Sequence, residues 1–224
     1  MNLQVIGRVY NDYQEKFGIP RQSGLVGEVI SRLVLEPEYS RPEVYRGLEG
    51  FSHLWLLWGF SEVEGESWRP TVRPPRLGGN RRVGVFASRS PWRPNPIGLS
   101  CVELLEIRQE PKLGPVLLVG GADMLSGTPV YDIKPYLPYA DAHPMARGGF
   151  GLLPGEGELA VAAPPELLER LPEEKRAALL AVLAQDPRPG YQEEPERIYG
   201  LSFGGYNIRF RVADGVLTLL EISK

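Results

Sequence analysis

Apolar and polar residues alternate along 2–9 (NLQVIGRV) and again along 25–35 (LVGEVISRLVL), where Leu25, Val29, Leu33 and Leu35 fall on one side, the period of half-buried strands. The run 53–60 (HLWLLWGF) is short and apolar without a break, which predicts a strand covered on both faces. VGVFA (83–87), LSCVELLEI (99–107) and PVLLVGGAD (115–123) extend the series to six predicted strands before residue 140, with no long helical period between them. A parallel doubly wound sheet needs a helical crossover between successive strands, so the expected fold is mainly β, a barrel or strongly bent sheet.

The pattern changes after residue 141. Residues 142–163 (AHPMARGGFGLLPGEGELAVAA) shift to Gly, Pro and Ala, the composition of an exposed connection. Leu167, Leu168 and Leu171 then form one apolar stripe, Pro172 opens a new first turn, and Leu179, Leu180 and Leu183 form a second stripe that must stop by Asp186-Pro187. YNIRFRV (206–212) and VLTLLEI (216–222) flank ADG, a hairpin turn in which Gly215 can take positive φ. The expected division is a β-barrel-like domain over 1–141, a linker over 142–163 and a small α+β module over 164–224.

A chain of 224 residues can hold a medium domain and a small companion, and its 42% hydrophobic and 24% charged residues are ordinary for a soluble protein. No apolar window approaches the ~20 residues that span a bilayer. The N-terminus reads as a strand rather than a signal peptide, so a cytoplasmic protein is expected. Cys101 is the single cysteine, which forbids an intrachain disulfide, and with only His53 and His143 beside it no metal cluster is expected.

Charge changes the picture more. Between Ser67 and Val102 stand Arg69, Arg73, Arg76, Arg81, Arg82, Arg89 and Arg93 with no Asp or Glu, leaving −10 on the rest of a chain whose net charge is −3. One cationic surface on an acidic molecule suits a polyanion bound at one place.

GLSFG (200–204) matches the G-x-S-x-G of a hydrolase nucleophile elbow, but an alternating strand rather than a helix follows Ser202, and both histidines precede it. No glycine fingerprint of a Rossmann or P-loop site occurs. Four polar segments rich in Gly or Pro stand at strand ends instead: IPRQSG (19–24), RPTVRPPRLGGN (69–80), FASRSPWRPNPIGLS (86–100) and DMLSGTPVYDIKPYLPYAD (123–141). Prolines order such loops before anything binds, which lowers the entropic cost of binding. Together the four predict a composite site.

GVFASRSPWRPNPIGLS and SGTPVYDIKPYLPYAD closely resemble the TsaA-like family of TrmO-type tRNA methyltransferases. EKFGIPRQSGLV, RGLEGFSHLWLLWGF, WRPTVRPPRLGGN and LAQDPRPGY match the same family in the same order; the likeness is dense over 1–141 and looser over 182–192 and the last strands. The resemblance implies a homodimeric enzyme with a small β-barrel methyltransferase domain, not a Rossmann sheet. It would use S-adenosyl-L-methionine to methylate N6 of threonylcarbamoyladenosine at position 37, beside the tRNA anticodon. Carried over by residue, it implies a cofactor site of Gln22, Ser23, Gly24, Phe60, Ser61, Arg89, Leu99, Leu125, Ser126, Gly127 and Thr128. Ser23 stands where the family usually has proline. Ser126 stands where it often has aspartate, so a carboxylate's role would pass to the serine hydroxyl, to Asp123, or be lost.

Arg69, Arg73, Arg76, Arg81 and Arg82 are the expected contacts to phosphates of the anticodon stem-loop. Arg93 serves either cofactor or RNA. Trp92 and Tyr136 either stack on bases or pack against prolines. Asp132 or Tyr136 could take the N6 proton, and the residues do not choose between them. A cofactor-binding sensor or RNA-binding module without catalysis, or a methyltransferase for another small substrate, is the alternative.

Overall fold

The computed structural model describes residues 2–63, 65, 67–74, 77, 81–150, 158–188 and 194–224. The first half contains β1 (Gly7–Tyr10), β2 (Ile30–Leu35), β3 (His53–Gly59), a short ribbon of β4 (Thr71–Val72) and β5 (Val83–Gly84), then β6 (Ile97–Glu110), β7 (Gly114–Gly120), β8 (Pro129–Pro135) and the single turn α1 (Pro138–Asp141). Six of these strands form one antiparallel sheet in the order β1-β2-β7-β6-β3-β8, closed by pairing of β8 with β1. The closure is uneven: the β1–β8 seam has only Gly7↔Val130 and Arg8↔Pro129, whereas β3 and β6 pair from His53↔Glu103 to Gly59↔Ile97. Strand alternation sends Val9, Leu33, Leu54, Leu56, Trp58, Val102, Leu117, Val119 and Val130 into one core.

Six strands were expected, and their membership differs by one. VGVFA gives only two residues to the ribbon and then turns into a 3-10 segment, Val85–Ala87. The sixth barrel strand is β8, inside a stretch that reads as a loop. Its prolines, Pro129 and Pro135, are its first and last residues, positions where a strand tolerates a missing N–H. The outer face of β3 is half covered: Trp55 donates Nε1–H to Asp141 Oδ2 of α1 (3.0 Å) and packs 5.8 Å from the Tyr136 ring.

The second half holds β9 (Ala160–Ala162), α2 (Pro165–Leu168), α3 (Glu173–Ala184), β10 (Tyr199–Phe203), β11 (Tyr206–Ala213) and β12 (Val216–Ser223), with sheet order β10-β11-β12-β9. β9 falls within residues expected as a linker and exists through its parallel pairing with β12, a partner more than fifty residues away. The ADG turn is as expected, with Asp214 at φ 50° and Gly215 at φ 75°, the two positive φ values of a tight hairpin. GLSFG is β10 entering a second hairpin, and no helix follows the serine. From α3, Leu179, Val182 and Leu183 cover this sheet. The cluster they join also takes in Tyr13, Val26 and Val29 from the segment between β1 and β2.

Candidate active site

At one end of the barrel, a cavity of about 290 Å³ opens between the end of β3 (Trp58, Phe60), the start of β6 (Ile97, Gly98, Leu99), the segment Pro20–Gln22, the loop residues Ser88, Arg89 and Arg93, and Asp123 beyond β7. The β3–β6 register puts Gly98 opposite Trp58. A Cβ on Gly98 would lie 2.2 Å from the Trp58 ring, so only glycine lets the indole lie across β6. The indole Nε1–H donates to Ser100 Oγ (2.9 Å), and that hydroxyl donates to Asp123 Oδ1 (2.5 Å). Phe60 stands 4.4 Å from Trp58, centroid to centroid, on the same wall.

Asp123 is the site's main electrostatic feature. Burial pushes its carboxyl above the ordinary value, while the Ser100 hydroxyl, backbone N–H groups including that of Ser23, and the Arg89 guanidinium pull it back. Arg89 also donates to Gln22 Oε1 (2.5 Å), joining the two loops across the cavity. The loop itself is ordered from within. Arg93 donates to the Ser88 carbonyl (2.7 Å), Ser88 Oγ to the Val85 carbonyl (2.8 Å), and the Pro96 carbonyl accepts Phe60 N–H (3.0 Å). Arg93 therefore frames the loop as well as lining the cavity.

Of the residues named from sequence, Gln22, Phe60, Arg89 and Leu99 meet in this cavity. Ser23 and Gly24 lie just behind its wall. Ser23 Oγ accepts Cys101 N–H (3.2 Å), and Gly24, at φ 80°, donates its N–H to the Gly121 carbonyl (2.9 Å). Ser61 begins the 3-10 turn Ser61–Val63. Leu125, Ser126, Gly127 and Thr128 do not line the cavity; they form the turn into β8, held along β1. There Gly127 N–H donates to the Val9 carbonyl (2.7 Å), Ser126 N–H to the Tyr13 carbonyl (3.0 Å), and Ser126 Oγ accepts Asn11 N–H (3.2 Å). Asp132 is paired with Lys134 (2.8 Å) and Tyr136 packs on Trp55, and neither lines the cavity.

Trp58, Gly98 and Ser100 went unnamed by sequence reasoning because only the register reveals their contact. Asp123 was named only as one place to which the role of a carboxylate at position 126 could pass; it ends the apolar run PVLLVGGAD.

The arginines stand nearby. Arg69, Arg73, Arg81 and Arg82 are exposed on and beside the β4–β5 ribbon; Arg76 lies outside the described residues. Arg69 stacks over Trp92 (4.3 Å), and Arg82 donates to Thr71 Oγ1 (3.0 Å). Among the described residues, no ion pair to a carboxylate is made by Arg69, Arg73, Arg81, Arg82, Arg89 or Arg93. An uncompensated cationic strip borders a cavity whose donors suit a zwitterionic, ring-bearing ligand.

Comparison with known proteins agrees with this layout. Residues 8–142 match the family described as tRNA-methyltransferase O N-terminal domain, and residues 157–224 match the TrmO C-terminal domain. The chain is 46% identical over 217 residues to a tRNA (adenine(37)-N6)-methyltransferase of Escherichia coli (strain K12), covering 93% of this chain and 92% of that one. A protein of Pyrococcus abyssi named "Probable S-adenosyl-L-methionine-binding protein" is 33% identical over 145 residues, 65% of this chain and 73% of that one. The crystal structure of TrmO from Pseudomonas aeruginosa superposes with a TM-score of 0.81 at 32% identity, covering 100% of this chain and 98% of that one. With both domain matches spanning most of its length, this chain belongs to the TrmO family of tRNA methyltransferases.

Proposed function

We propose that this protein is an S-adenosyl-L-methionine-dependent enzyme that methylates N6 of threonylcarbamoyladenosine at position 37 of tRNA. The observation that carries the reading is the joining of Gln22, Phe60, Arg89 and Leu99 with Asp123 in one cavity beside an arginine-rich ribbon.

The residues fit that cofactor. Asp123 is a partly desolvated carboxylate able to accept from an ammonium or from ribose hydroxyls, Arg89 can pair with a carboxylate, and the faces of Trp58 and Phe60 suit a sulfonium cation or an adenine ring. S-adenosyl-L-methionine, when bound, supplies an already activated methyl group. The chain's own work is to hold the acceptor nitrogen in line and keep water away. Ser23, Gly24 and Ser61, beside the cavity, and Leu125 to Thr128, on the turn into β8, complete the proposed cofactor set.

Arg69, Arg73, Arg81 and Arg82, with Arg76 in the same strip, are assigned to phosphates of the anticodon stem-loop; their exposure and lack of carboxylate partners among the described residues support this. A homodimer working in the cytoplasm belongs to the same reading. The apolar Leu105, exposed on β6 away from the cavity, supports the dimer. The division into a barrel domain over 1–141, a connection over 142–163 and a module over 164–224 belongs to the same reading; the end of the first family match at residue 142 supports its first boundary, while Tyr13, Val26 and Val29 share the module's core.

Incubating unmethylated tRNA with the protein and cofactor, followed by nucleoside mass spectrometry, tests the reaction. The expected result is the mass gain of one methyl group on threonylcarbamoyladenosine. An unchanged nucleoside, with cofactor bound, would replace the enzyme by a cofactor sensor.

A further inference from the structure

Among the described residues, none from the second half of the chain lines the cavity, yet that half grips the segment that does. The chain from Asn11 to Val29 runs between the two sheets. On one side, Lys175 of α3 pairs with the Asp12 carboxylate, Gly204 N–H donates to the Asp12 carbonyl (3.0 Å), and Ser202 N–H donates to Glu15 Oε1 (2.6 Å). Tyr13 bridges to Phe203, Phe17 stacks on Phe210 with rings 15° apart, and Arg21 donates to the Arg188 carbonyl (3.3 Å). A Cβ on Gly18 would lie 2.3 Å from Leu201, so the segment and β10 touch closely.

On its other side the same segment holds the cavity's parts. Gln22 meets Arg89, Gly24 N–H meets the Gly121 carbonyl, and the Tyr13 carbonyl and Asn11 N–H hold Ser126. Both stretches assigned to the cofactor, 22–24 and 125–128, thus hang on backbone that the second sheet clamps. The Lys175–Asp12 pair is three-quarters buried on both sides, which makes it more than a solvated surface pair.

We propose that Lys175, acting through Asp12, is a positioning residue: the C-terminal module tunes cofactor affinity by clamping residues 11–24, without touching the cofactor. This rests on the function proposed above. Order in the clamped segment lowers the conformational cost of binding, so loosening it weakens binding and leaves the methyl-transfer step unchanged.

The test uses the full chain with Lys175→Met, which keeps the aliphatic stem, Lys175→Arg, which restores the charge, and Glu15→Ala, which removes the acceptor of Ser202 N–H, as a second way to loosen the clamp. The expected result is an S-adenosyl-L-methionine Kd raised about 3- to 30-fold in Lys175→Met, with kcat at saturating cofactor held and affinity regained in Lys175→Arg. Hydrogen exchange at the Gly24 and Ser126 amides should accelerate by a similar factor while β6 and β7 amides stay protected. A lowered Tm with unchanged Kd and unchanged exchange at those two amides would overturn the proposal, leaving Lys175 merely structural. If the parent protein binds no S-adenosyl-L-methionine, the proposed function fails, and the amide exchange alone then decides the clamp.

Discussion

Asp123 bears a cost that its neighbours only partly offset. Its carboxyl is raised first by burial, so the folded protein holds that proton more tightly than the unfolded chain does. The sign follows from linkage. As pH rises through the raised pKa the folded state must ionise a disfavoured carboxylate, and stability is lost relative to its value at low pH. Asp123→Asn removes that loss. Its stability advantage over the parent, measured by urea unfolding across about pH 4 to 7, should therefore grow with pH. Cofactor affinity should fall about tenfold or more, because a charge-assisted contact becomes a neutral one. A residue that weakens the empty protein and strengthens its complex is what a binding site keeps. Gly98 and Trp58 show a limit of reading single residues: each is ordinary in the string, and their meaning comes from facing each other.

At the level of elements, the β4–β5 ribbon is the clearest case of a short motif with an electrostatic purpose. Its strands are two residues each, too little to stand without the proline-fixed chain around them, and its exposed arginines lack carboxylate partners among the described residues. Replacing Arg73, Arg81 and Arg82 together with alanine should weaken tRNA binding. The slope of log affinity against log salt should become shallower by about 0.7 for each phosphate that is no longer neutralised, read from filter binding at several salt concentrations. Legibility was uneven among the elements. β3, β6 and β7 were readable because their apolar period is unbroken. β8 was hidden by its terminal prolines and by Asp132 and Lys134 on its exposed end, and β9 carries almost no pattern of its own.

The whole molecule has two apolar clusters joined by one segment. Tyr13, Val26 and Val29 follow or precede barrel strands but are buried with Leu179, Leu183, Phe203 and Phe210. Leu179 is fully buried, and Leu179→Ala should cost about 2–5 kcal/mol in urea unfolding. All four tryptophans, Trp55, Trp58, Trp68 and Trp92, lie in the first half of the chain, so their fluorescence reports the barrel. If the joining segment couples the halves, the tryptophan transition shifts together with the backbone signal in this variant. Independent halves would leave it in place.

The sequence by itself determined the β class, five of the six barrel strands, the final hairpin and the arginine strip. These follow from local period, from turn chemistry and from charge, all of which act over a few residues. The family resemblance also named Gln22, Phe60, Arg89 and Leu99, which meet in one cavity. Only the tertiary structure decided that β8 closes the sheet, that Gly98 admits the Trp58 ring, and that Asp123 is desolvated in the cavity wall. It alone showed Asp12 meeting Lys175 from the far end of the chain. Such contacts depend on register and on pairs of residues far apart in sequence. Neither partner's neighbours carry a trace of the other, because the energy that fixes them appears only when the sheets have closed.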